Sequence, residues 1–143
     1  MPDQTSTPRG DRINVCLTRH NAYIQLTQGE NAPFKTMKDL FLMAATVGFQ
    51  KRLRVPLEKK QGVFAWSQFS PQEDVPYIHA IILSLGEPLE TLLDQGKMLD
   101  ILEEYANGGI DDLSSLLLSS ARPSLALANK ILSEAPNAER PSQ

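Results

Sequence analysis

The chain has 143 residues, 41% hydrophobic and 22% charged, which fits one globular domain with a real core. Its single cysteine, Cys16, excludes a scaffold of intramolecular disulfides. The net charge of −3 averages two opposite regions: residues 9–62 carry ten Lys/Arg against four carboxylates, and from residue 63 onward four Lys/Arg face twelve Asp/Glu. A basic half tracks phosphate or an acidic partner, and an acidic half recruits a basic protein. The balance points to a partner-binding protein near nucleic acid and away from a self-sufficient enzyme.

Residues 1–10 are polar, hold two prolines and lack the apolar stretch of a signal peptide, so they read as a flexible arm. Residues 13–18 alternate apolar and polar, the period of a strand with Ile13, Val15 and Leu17 inward. Arg12, Asn14, Cys16 and Thr18 would then face out. A helix is expected over 19–28, followed by a turn-rich connection through Gly29 and Pro33.

The next helix is the best specified. Thr36 suits its N-cap, Asp39 the third position, and Met37, Leu40, Phe41, Ala44 and Val47 recur at helical spacing up to Gly48. This predicts a helix over 36–47 with Gly48 as its left-handed C-cap. A basic exit segment follows, holding Lys51, Arg52 and Arg54, with Pro56 forcing Val55 to be extended. Residues 57–61 read as a loop and 63–66 as a short extended piece.

Beyond Ser70 the chain reads as a series of short helices. One is capped by Asp74, has Pro76 in its first turn, buries Tyr77, Ile78, Ile81, Ile82 and Leu85, and ends at Gly86. A second, opened by Pro88, spans 87–93. A third covers 97–107, with Gly108 and Gly109 stopping it, and a fourth covers 111–120. Pro123 precedes an amphipathic tail helix within 121–135, and 136–143 reads as a disordered tail. The fold class expected is mainly α: one helical domain over 11–120, an N-terminal strand followed by two helices, then the set of short helices. No apolar run approaches the roughly 20 residues that span a bilayer, and a cytoplasmic protein is expected.

Few residues carry chemistry. His20 and His79 lie far apart and offer no zinc spacing, and Cys16 with His20 is better read as a packed or partner-facing strand residue than as a nucleophile pair. No glycine-rich phosphate loop is present. The acidic side chains fall on polar helix faces, so neither a metal ion nor another cofactor is expected. The basic elements suit phosphate contact: Lys51, Arg52, Arg54, Lys59 and Lys60 lie in one stretch, with Arg12, Asn14, Thr18 and Arg19 on the strand side. Trp66 and Phe69 read either as base-stacking or as core aromatics. Strand, helix, helix also matches a ribbon-helix-helix unit, in which two chains pair strands and Arg12 and Asn14 read bases. Asp100, Glu103, Glu104, Asp111 and Asp112 form the surface expected to dock a protein partner.

Several motifs appear in succession: Pro33-Phe34-Lys35-Thr36, Leu40 through Phe49, Pro56-Leu57-Glu58-Lys59, Trp66 with Phe69, and Glu103-Glu104-Tyr105-Ala106-Asn107-Gly108-Gly109. Over residues 12–117 this succession resembles the small accessory family found beside bacterial DNA phosphorothioation (Dnd) genes, Dnd system-associated protein four. The resemblance leaves out the tail after Ser120. It implies a non-catalytic accessory role in phosphorothioation or a neighbouring phage-defence or restriction-modification module, binding DNA, protein components of the complex, or both. It supplies no catalytic residues. A dimeric ribbon-helix-helix-like regulator and a pure protein adaptor stand as the alternatives.

Overall fold

The computed structural model describes residues 10–118 and 131–132; the rest of the expected N-terminal arm, tail helix and disordered tail lies outside them. Strand β1 spans Arg12–Cys16, and a single 3-10 turn at Leu17–Arg19 leads into helix α1, His20–Thr27. The alternation places Ile13 and Val15 in the core, as its period requires, but it stops there. Cys16, expected to face out, is buried, and Leu17, expected inside, opens the 3-10 turn and is exposed. Helix α2 is Met37–Lys51, strand β2 Lys60–Ala65, helix α3 Asp74–Ser84, and helix α4 Gln95–Leu118. The architecture is mainly α, with an N-terminal strand ahead of the helices.

β1 and β2 form a two-stranded antiparallel ribbon, with Cys16 opposite Lys60 and Arg12 opposite Ala65. A bulge between Ile13 and Asn14 adjusts the register. The first strand therefore pairs within its own chain, where the ribbon-helix-helix reading placed a second copy. Residues 60–61, read as loop, are part of β2.

Thr36 caps α2 as its chemistry demands, its hydroxyl accepting the Asp39 N–H at 3.1 Å. The helix runs four residues past the expected end. Gly48 lies inside it, and Arg52, at φ 57° and ψ 39°, is the left-handed cap, its N–H donating to the carbonyls of Gly48 and Phe49. The two helices expected over 97–107 and 111–120 are likewise one continuous α4, running through Gly108 and Gly109.

Both corrections have one cause: α2 and α4 cross at van der Waals contact of their backbones. A Cβ on Gly48 would lie 2.8 Å from the Tyr105 carbonyl carbon, and one on Gly109 would lie 2.6 Å from the Gly48 nitrogen. Neither position admits a side chain. A glycine in a helix costs about 1 kcal/mol of propensity relative to alanine. Burial of Leu102, Ala106, Ile110, Leu113 and Leu117 on the same helix outweighs that penalty.

Around this crossing, Phe41, Phe64 and Phe69 stack edge to face at 5.7 and 5.4 Å, and Trp66 meets Phe69 at 5.3 Å. Trp66 and Phe69 are thus core aromatics. Asp74 is the first residue of α3, where its carboxylate accepts the Ser70 N–H at 2.7 Å and pairs with Lys38. Tyr77, expected inside, is 43% exposed and bonds to the Thr46 hydroxyl. The helix opened by Pro88 is a 3-10 turn, Leu89–Leu93.

Candidate functional site

The stretch Glu103–Gly109 on α4 is the hub to which three parts of the chain attach. Glu103 is buried, 2% exposed, and its Oε2 accepts the Asn14 backbone N–H at 2.7 Å and the Asn14 side-chain amide at 3.2 Å. Glu104 accepts from Arg54 Nε at 2.6 Å, and the Arg54 guanidinium lies 5.7 Å from the centre of the Tyr105 ring. Tyr105 also meets Phe49 edge to face at 6.3 Å.

Ala106 is buried, and Asn107 Nδ2 donates to the carbonyls of Val55 and Pro56, each at 3.2 Å. Gly108 leaves room for the Leu53 backbone, whose carbonyl carbon would stand 2.6 Å from a Cβ there. Each residue of this motif thus holds a neighbour in place. Asn107, Gly108 and Gly109 do not form the C-cap expected of them.

The chain leaving α2 is consequently strapped across α4. The Leu53 N–H donates to the Gly48 carbonyl at 2.9 Å and the Val55 N–H to the Glu104 carbonyl at 3.0 Å. Its side chains still face solvent: Leu53 is 43% and Val55 41% exposed. Beyond Pro56, the Leu17 N–H donates to the Lys59 carbonyl at 2.8 Å and ties the strap to the ribbon.

Cations and carboxylates expected to serve different partners meet one another along this seam. Arg19 Nε lies 2.6 Å from Asp111 Oδ1, and a terminal Arg19 N–H donates to Asp111 Oδ2 at 3.0 Å. Lys51 pairs with Asp112, and Arg54 with Glu104. The hydrogen bonds to Asp111 and Glu104 raise the pKa values of Arg19 and Arg54 above the ordinary range. Exposed pairs of this kind contribute about 0–1 kcal/mol each, so their main effect is on the surface field.

Two expected site residues need correction. Asn14 does not face a groove, since its amide and backbone are both taken by Glu103. Glu103 is no docking residue, because burial removes it from any partner. Arg12 is exposed and lies over Gly62, and Thr18 is exposed, with its hydroxyl 3.2 Å from both Cys16 Sγ and Arg19. Asp100 is exposed on α4. Arg52, Lys59 and Lys60 are exposed and form no ion pair with the described residues.

Cys16 lines a shallow cleft with Thr18, Arg19, Val55, Pro56, Glu58 and Asn107. The Thr18 hydroxyl lowers its pKa against the opposing effect of burial, assisted by backbone N–H groups of Thr18, Lys59 and Glu58. No group of three or more His, Cys, Asp or Glu among the described residues is placed to hold a metal ion. No described helix is long and apolar enough to cross a membrane.

The sequence displays the charges of this segment but not that its aliphatic side chains stay exposed. A signal for its support was present: Leu102, Ala106, Gly109, Leu113 and Leu117 keep helical spacing straight through the two glycines.

No curated protein and no solved structure matches the chain. The family model for DNA sulphur modification system-associated protein 4 matches residues 12–143, so it includes the tail after Ser120 that the sequence resemblance left out. It spans the ribbon, the α2–α4 crossing and the Glu103–Gly109 hub alike. The chain belongs to the family of DNA sulphur modification system-associated protein 4.

Proposed function

We propose that the chain is a non-catalytic accessory component of a DNA sulphur modification system, acting as a protein adaptor that docks an acidic partner on residues 52–60. The observation that carries this reading is the strap over α4. It is fixed by backbone and Asn107 hydrogen bonds, and it presents Leu53 and Val55 beside Arg52. Aliphatic side chains add nothing to phosphate binding but form the centre of a protein interface, with cations at its rim. The pairing of Arg19, Lys51 and Arg54 with α4 carboxylates further weakens the field that a DNA backbone would meet.

A second reading, contact with DNA phosphate, is favoured by the cations on the ribbon side, Arg12, Lys59 and Lys60. Capture of co-expressed system components by wild type and by the Arg52→Asp, Lys59→Glu, Lys60→Glu variant separates the two. The adaptor reading expects capture to drop at least about tenfold in the variant, with duplex DNA bound weakly at low salt. Undiminished capture by the variant, or tight duplex binding that falls steeply with salt, would overturn it.

A further inference from the structure

The surface proposed for docking has a chemical complement on the same chain. Residues 87–94 combine Leu89 and Leu93, 69% and 89% exposed, with Glu87, Glu90 and Asp94. Leucines so far out of the core on a short, well-packed turn are unusual, because Thr91 between them is buried and holds the turn in place. Residues 52–60 combine Leu53 and Val55, roughly two-fifths exposed, with Arg52, Lys59 and Lys60. Three carboxylates with two aliphatic anchors thus face a strap with two aliphatic anchors and three cations that form no ion pair with the described residues. Arg54 of the strap is paired with Glu104, and Glu58 is the one carboxylate within it.

The two patches also border one groove at their near ends. A groove of about 450 Å³ is lined by Phe49, Gln50, Arg52, Ser84, Leu85 and Tyr105. The strap leaves one wall of it at Arg52, and the acidic turn leaves the other just past Leu85 and Gly86. Glu87 is near enough to act electrostatically on Arg54. In a two-fold assembly each contact between unlike patches occurs twice, residue i on j and j on i. A two-fold axis through this groove therefore lays each copy's acidic turn on the other copy's strap.

We infer that the partner this surface fits is a second copy of the chain, in a dimer closed by two equivalent contacts between residues 87–94 and 52–60. The inference rests on the adaptor reading of the strap and names its occupant. Lys97, the one cation close in sequence to the acidic turn, sits beyond Asp94, whose Oδ1 accepts the Lys97 N–H at 3.0 Å. Asp94 is therefore left intact in the test.

Sedimentation velocity on the full chain reads the assembly directly. Wild type should be dimeric at tens of micromolar in low salt and shift toward monomer as salt rises. The variant Glu87→Lys, Glu90→Lys and the variant Arg52→Asp, Lys59→Glu, Lys60→Glu should each be monomeric, with dimerisation weakened about a hundredfold. Mixed in equal amounts they should form a dimer again, since each then supplies the charges the other has lost.

A wild-type monomer at about 100 µM, or two monomeric variants that fail to re-associate on mixing, would overturn the inference. If either variant does not fold, hydrogen exchange on wild type at low and high concentration replaces it: protection must appear on both 52–60 and 87–94, and protection elsewhere counts against it. A monomer that still captures system components through residues 52–60 leaves the adaptor reading standing. A dimer that captures none keeps the strap as a protein-docking surface with a second copy as its occupant, and sinks the docking of system components there.

Discussion

At the α2–α4 crossing, Gly48 and Gly109 bring two backbones into contact, and the cations and carboxylates around them pair off. At residues 89–93, two leucines stand in solvent beside Glu87, Glu90 and Asp94. The first region satisfies its needs internally, so its residues explain the fold. The second keeps Leu89 and Leu93 in solvent, and of its carboxylates only Asp94 accepts a hydrogen bond among the described residues, so it is the region proposed for a partner. A long motif such as Glu103–Gly109 is therefore weak grounds for a binding site until its neighbours are known. An inconspicuous run such as Glu87–Asp94 carries more.

The crossing breaks most sharply at Gly109. Alanine there gains about 1 kcal/mol of helix propensity yet must displace backbone, and overpacking in a rigid core costs 1–3 kcal/mol or more. We expect Gly109→Ala to lose about 3 kcal/mol in urea unfolding. A gain in stability would mean that the two backbones do not touch. Next is Glu103→Ala, which strands the Asn14 N–H beneath α4 and should cost about 2 kcal/mol by the same measurement. An unchanged midpoint would place Glu103 on the surface, where the sequence had put it.

The sequence disclosed the parts of the fold that depend on local chemistry and concealed those that depend on contact. Thr36 announced its cap, and the alternation of Ile13 and Val15 its strand, because each is decided within a few residues. Gly48, Gly108 and Gly109 carry the same local signal as helix stops. Only the arrival of another backbone gives them their other meaning. The charges behaved likewise: Arg19, Lys51 and Arg54 read as free cations until Asp111, Asp112 and Glu104, at least 50 residues away, were found beside them.

Smaller effects sharpen the account of the closed region. The Tyr23 hydroxyl is buried with no hydrogen-bond partner among the described residues, and burial, with the charges of Asp111 and Cys16, pushes its ionisation well above the usual range. Tyr23→Phe should therefore raise stability by about 1 kcal/mol, where most core changes lower it.

At Asp74, burial opposes ionisation, but the Lys38 ammonium and the Ser70 N–H together hold the carboxyl below its ordinary pKa. The unfolded chain then binds the proton more tightly, so this stabilisation is present near neutrality and fades as pH falls below about 4. Asp74→Asn should flatten that part of the acid-unfolding curve, an effect of about 1 kcal/mol or less. An acid limb identical to wild type would show that the pair contributes nothing.

The central claim is that unpaired cations dock a partner while paired ones serve the fold. Capture of sulphur-modification components by two folded variants tests it most directly. One is Arg52→Asp, Lys59→Glu, Lys60→Glu; the other, outside the docking segment, is Arg19→Gln, Lys51→Gln. Capture should fall at least about tenfold in the first and stay within about twofold of wild type in the second, which should instead lose a little stability. Equal loss in both, or loss in the second alone, would contradict the account.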